Sequence, residues 1–193
     1  MQRYLLLIDR ISTWVGKTFA WAILVLTLVV TYDVVMRKLG SPTVWAFDVA
    51  WMLYGALFLM AGAYTLSRNG HVRGDVLYGF FPPRLQAGLD LVLYFLFFIP
   101  GILALAYAGI GYAETSWGLK ETSYNSPDII IYPVKALIPI AGALVFLQGI
   151  DEIVRCVMCL LTGAWPARAH DVEEVDIEEL KEMIGVKESG AAK

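Results

Sequence analysis

Charge is what this sequence has least of. Asp, Glu, Lys and Arg make up 17% of its 193 residues, against 58% hydrophobic residues; soluble domains carry about 25% and about 45–50%. The formal net charge of −3 points to no polyanionic partner, and no basic stripe offers a surface for nucleic acid. Histidine is nearly missing: His71 and His170 are the only two, and both lie outside the apolar runs. Paired histidines that would hold a haem inside a helix bundle are therefore excluded. Cys156 and Cys159 form a CxxC, but no second pair completes a zinc or iron–sulfur site. They read as ordinary small residues of a membrane helix. No Gly-rich phosphate loop, nucleophile elbow or metalloprotease motif is present. The chain does not read as an enzyme, and no cofactor or metal is expected.

What the sequence has in quantity is long apolar runs, at about residues 18–36, 44–66, 89–112 and 134–150. About 20 helical residues cross a hydrocarbon core, so each run spans it or nearly so. The fold class expected is an all-α membrane protein. Residues 1–17 form an amphipathic interfacial helix, 18–161 a four-helix domain and 162–193 a short acidic cytoplasmic tail. The first run follows Arg3, Arg10 and Lys17 and ends in Asp33 and Arg37 rather than at a small-residue cleavage site. It reads as a retained span. Arg3, Arg10, Lys17, Arg68, Arg73, Arg84, Arg155 and Arg168 would share one side of the membrane, with Arg37, Lys38, Lys120 and Lys135 on the other. Eight against four predicts both termini in the cytoplasm.

In residues 2–17, Tyr4, Leu7, Ile8, Ile11, Trp14 and Val15 share a helical period, while Arg3, Asp9, Arg10 and Lys17 lie largely elsewhere around the helix. The stretch either lies in the interface or extends span one. Arg37-Lys38-Leu39-Gly40-Ser41-Pro42 stops span one in a tight turn, and Thr43 is placed to cap span two. Residues 67–75 form a polar loop, Pro82 and Pro83 precede span three, and Pro100-Gly101 predicts a kink within it. The loop 114–133 carries Trp117, Tyr124 and Tyr132, which suit an interfacial belt. The fourth helix is expected to continue from Ile150 to about residue 161, its Asp151, Glu152 and Arg155 at the interface or in water. Residues 171–188 are acidic, either a short helix or a solvated tail.

Ionisable residues near lipid are functional candidates. Asp33 precedes Arg37 by four, the favourable order for a pair on one helix face. Asp48 sits one turn into span two, suited to the helix N-terminus or to Arg37 or Lys38 across the hairpin. Glu114 and Lys135, at the ends of spans three and four, are placed to meet. Gln148 reads as interhelical glue. No acid falls at the midplane, where a coupled carrier places its site.

Taken together, Arg37-Lys38-Leu39-Gly40-Ser41, Trp45, Asp48, Gly62 and the stretch from Arg68 through Asn69, Gly70, His71, Val72, Arg73 and Gly74 to Asp75 carry a resemblance. They resemble the small membrane subunit of tripartite ATP-independent periplasmic (TRAP) transporters, the DctQ-like family. Ser116-Trp117, Glu121-Thr122-Ser123, Tyr132-Pro133-Val134-Lys135, Pro139 and Leu147-Gln148-Gly149 are similar to its mannitol/chloroaromatic branch. The similarity covers about residues 15–160. Asp48 stands where that pattern more often has Glu, and the acidic tail is not part of the pattern. The resemblance implies a scaffold in the bacterial inner membrane, surrounded by lipids. It would support a large TRAP membrane subunit that carries sodium coupling and the elevator motion, and help dock a periplasmic substrate-binding protein that captures organic acids. It assigns Asp33, Arg37 and Asp48 to a hairpin cluster. Arg68, His71 and Asp75 fall to a cytoplasmic loop, and Glu114, Trp117, Lys120, Glu121 and Lys135 to the docking surface. The alternative is a stand-alone four-helix carrier working as a homodimer, with Asp33 or Asp48 as its coupling acid.

Overall fold

A computed structural model of the chain describes residues 2–70, 78 and 80–166. His71, Asp75, Arg168, His170 and the acidic tail lie outside the described residues. Seven α-helices are described: α1 (Gln2–Ala20), α2 (Ala22–Lys38), α3 (Trp45–Ser67), α4 (Pro83–Leu93), α5 (Ile99–Gly118), the single turn α6 (Tyr132–Lys135) and α7 (Leu137–Thr162). Four helical segments are long and apolar enough to cross a membrane: Tyr4–Lys38, Trp45–Ser67, Pro83–Gly118 and Tyr132–Thr162. No strand is described; Thr122 and Ile130 form one isolated antiparallel bridge.

The first segment holds 35 residues, about 50 Å of helix against a hydrocarbon core of about 30 Å. It is divided at Trp21, where Trp21 N bonds the Thr18 carbonyl and Leu24 N bonds that of Trp21. These i→i−3 bonds replace the α-helical ladder and separate α1 from the span proper.

The spans are arranged more as a row than as a ring. Helix α2 packs on α3, α3 on α7, and α7 on α4 and α5, while α1 lies across α3 and α7. Helix α2 accordingly buries no residue. The seams of the row are lined by small side chains, among them Ala56, Ala63, Ala87, Ala141, Cys156 and Cys159, all 8% exposed or less. Lipid is as apolar as leucine, so close backbone approach rather than hydrophobicity holds such helices together. Gly149 is one such place, since a Cβ there would collide with the Phe98 ring.

The weak point foreseen at Pro100-Gly101 takes the form of a π-turn just before it, at Tyr94–Phe98. Pro100 has no N–H for the carbonyl four residues back, and its ring crowds that carbonyl. A widened turn relieves both while the helix continues. Helix α7 ends at Gly163, whose φ of +84 is a left-handed cap that a side chain would strain. Its N–H reaches the Cys159 carbonyl at 2.7 Å.

Candidate functional site

Two polar regions stand at opposite ends of the helices. At the terminal end, where α1 crosses α7, the face of α1 that turns inward is Leu5, Asp9, Ser12 and Gly16. Asp9 and Ser12 are each 2% exposed, whereas Tyr4 is 75% and Trp14 70% exposed. Asp9 thus does not share the exposed side of Arg10 and Lys17; it turns into the protein, while Tyr4, Leu7, Ile11 and Trp14 stay exposed with those two basic residues. Gly16 completes the approach by lying directly against Tyr64 of α3.

The partners are on α7. Gln148 accepts from Ser12 Oγ at 2.9 Å and donates from Nε2 to Asp9 Oδ1 at 2.9 Å. Arg155 Nη2 meets the other oxygen of Asp9 at 2.8 Å, and its Nε donates to Asp151 Oδ2 at 2.8 Å. Glu152 Oε1 stands 3.7 Å from the same Nε. All four of these charged side chains are 3% exposed or less. Of the two settings expected for the last turns of α7, the interface or water, full exposure to water does not hold: Asp151, Glu152 and Arg155 form a buried seam with α1. A guanidinium with several fixed donors suits this role, because it can bond carboxylates on two elements at once. Removing either partner would strand a buried charge.

Nearby, Tyr78 donates to Asp90 Oδ2 at 2.6 Å, and Trp165 Nε1 donates to Gln86 Oε1 at 3.0 Å. Asp90 is 7% exposed, an acid inside the third apolar run that the sequence reading passed over. Arg68 caps α3 and lies with its guanidinium 5.3 Å from the Tyr64 ring centroid. The other two residues of the expected loop cluster, His71 and Asp75, lie outside the described residues.

At the hairpin end, Arg37 Nε bonds Asp33 Oδ2 at 2.7 Å, as the i,i+4 spacing predicts. Thr43 does not cap the second span. No side chain caps α3, and the Thr43 hydroxyl donates to the remaining oxygen of Asp33. Asp48 is not brought to Arg37 or Lys38; its Oδ1 accepts from Asn125 Nδ2 at 3.1 Å, which ties α3 to the loop 119–131. Lys135 does not meet Glu114, which stays exposed on α5. It meets Glu121 Oε2 at 2.5 Å instead, because the loop folds back through Ser123 N to the Ile129 carbonyl and Ile131 N to that of Glu121.

Ser116 Oγ also donates to Glu121, at 2.5 Å. The Lys135 ammonium, helped by the Ser116 hydroxyl, holds the Glu121 carboxyl below its ordinary value of 4.5. Aromatic rings complete this face. Lys135 lies 4.2 Å from the Tyr112 ring and Lys120 5.7 Å from that of Tyr132. Trp117 packs on Tyr132 at 4.7 Å between centroids. Trp117, Lys120, Glu121 and Lys135 are thus brought together, while Glu114 stands aside.

No curated protein matches the chain in sequence. The protein family described as tripartite ATP-independent periplasmic transporters, DctQ component, matches residues 26–159. That match spans well over half of the chain and all four membrane segments in whole or in part. The chain belongs to the DctQ family and is the small membrane subunit of a TRAP transporter, a transport component rather than an enzyme.

Proposed function

We propose that this subunit is the static scaffold of a sodium-coupled, binding-protein-dependent importer of organic acids. In this reading sodium and substrate are handled by the large membrane subunit, and the chain itself needs no cofactor. The periplasmic binding protein docks in part on Trp117, Lys120, Glu121 and Lys135, with Glu114 at the margin. Asp33 and Arg37 fix the first hairpin, and Arg68, His71 and Asp75 belong to a structural loop. Both termini face the cytoplasm, a placement supported by the Lys and Arg bias. The stretch Ser116–Lys135 with Leu147-Gln148-Gly149 supports the mannitol/chloroaromatic branch.

The observation that carries the static role is the buried seam. Arg155 is bonded to carboxylates on both α1 and α7 with 1% of its side chain exposed. A helix that had to slide or tilt during each transport cycle would break those bonds every time. Docking is tested by Lys120→Glu in the complete three-component transporter. Lys120 is exposed and makes no ion pair among the described residues. Binding-protein affinity should fall and become salt-dependent, while co-purification with the large subunit is unchanged. Loss of the complex itself would contradict the docking role.

A further inference from the structure

One carboxylate in the hairpin end is only half used. Asp48 is 8% exposed; its Oδ1 holds Asn125, but its Oδ2 is buried with no hydrogen-bond partner among the described residues. It lies on the wall of an open recess of about 730 Å³, between α3 and the loop 119–131, with Trp51, Met52, Glu121, Ser123 and Tyr124 around it. Glu121 is already engaged by Lys135 and Ser116, so Asp48 supplies the unmatched negative charge. An ionised carboxylate shielded from water at a membrane boundary is costly until a cation meets it.

The recess continues into an aromatic row. Phe47, Trp51, Tyr54 and Phe58 follow one another at helical spacing on α3, with successive centroids 6.2, 6.3 and 6.4 Å apart. All four are more than half exposed, and none packs inside the subunit's own seams. Asp48 sits on the shoulder of that face, next to Trp51. Aromatic side chains joined to a single buried acid are the composition of a protein contact, with the rings giving area and the acid fixing register.

We propose that this face of α3 seats the large TRAP membrane subunit, and that a lysine or arginine of that subunit enters the recess to pair with the Asp48 carboxylate. The inference rests on the scaffold reading and adds where the contact lies and what chemistry fixes it. The large subunit is favoured over the binding protein because the row runs from Phe47 to Phe58, deep into the membrane span. A soluble partner could reach only its outer end. With Oδ1 committed to Asn125, one oxygen remains. That suits an ammonium or one guanidinium N–H better than a bidentate arginine fork. The Trp51 ring, lining the same recess, gives the incoming cation a second favourable contact.

The test places a photoreactive benzoyl-phenylalanine at Tyr54, at Phe58 and, as the comparison position, at Phe97 of the third span in the complete transporter. Adducts of the large subunit should form at Tyr54 and Phe58 and be at least tenfold weaker at Phe97. Adducts only to lipid, or only to a second copy of this chain, at Tyr54 and Phe58 would overturn the proposal. Capture of the large subunit at Phe97 alone would also overturn it, while leaving the scaffold reading standing. Absence of the large subunit from every adduct and from the purified complex would defeat that reading as well. Asp48→Lys should lower recovery of the large subunit at least tenfold, and Asp48→Asn by less. Wild-type recovery with Asp48→Lys would remove the charge pair from the account. The cross-links, made with Asp48 intact, keep the face testable if that variant fails to fold.

Discussion

The two ends of the molecule use the same residue types to opposite effect. At the terminal end Arg155, Asp9 and Asp151 are withdrawn from solvent, with side chains 0–3% exposed. At the hairpin end Lys135 and Glu121 make a still shorter contact, 2.5 Å, but remain 16% and 34% exposed. Burial decides what each can do. A buried charge network is rigid and intolerant of losing one member. A half-exposed pair contributes little to stability, is screened by salt and stays available to a partner. One end is closed to solvent and the other is open to it.

The strongest way to break this contrast is Arg155→Met, which strands Asp9 and the acids of α7. A loss of about 3–5 kcal/mol is expected, read as a large fall in melting temperature of the detergent-solubilised subunit. Gln148→Leu should come second, at about 1–3 kcal/mol, because Ser12 and one oxygen of Asp9 lose their partner together. Lys135→Met should move the melting temperature least of the three and less still in high salt. A ranking with Lys135 at the top would refute the comparison.

Acid sharpens the same contrast. Glu121 has its carboxyl held low, first by Lys135 and then by Ser116. A depressed folded value means that its contribution is fully present above the unfolded value and is lost as pH falls through the folded one. Protection of residues 119–131 in hydrogen exchange should therefore be flat from pH 8 down to about 5, for a carboxyl of ordinary pKa about 4.5, and drop only below that. Loss of protection between pH 8 and 6 would assign the loop's order to some other group. Lys120→Glu, smallest of all for stability, should leave melting unchanged and be visible only in binding-protein affinity.

How far the sequence could be read follows from the reach of each interaction. Four spans were legible because lipid requires long apolar runs, and each observed segment covers one of them to within a residue. Asp33–Arg37 was legible because four residues make one helix face. The seam was not, since Asp9 and Arg155 are 146 positions apart and no local spacing links them. What the helical period did not show is that the acid of α1 faces the protein rather than water. Helix α1 turns Tyr4, Leu7 and Trp14 outward and its lone acid inward. The signal available was an Asp and a Ser three apart on a helix otherwise rich in apolar residues. Lys135 was given the wrong acid because the fold of the loop 119–131 carries Glu121 past Glu114, and nothing short of its backbone bonds reveals that.

The static role is tested most directly by a covalent strap across the row. Gly62 of α3 faces Val145 of α7 so closely that a Cβ on Gly62 would lie 3.2 Å from its Cγ2. Gly62→Cys with Val145→Cys, in a background where Cys156 and Cys159 are replaced by Ala, should close a disulfide between the two central spans. Uptake by the complete transporter should be the same with the bridge oxidised and reduced. If oxidation stopped uptake and reduction restored it, α3 and α7 would move against each other during transport, and the scaffold account would be wrong.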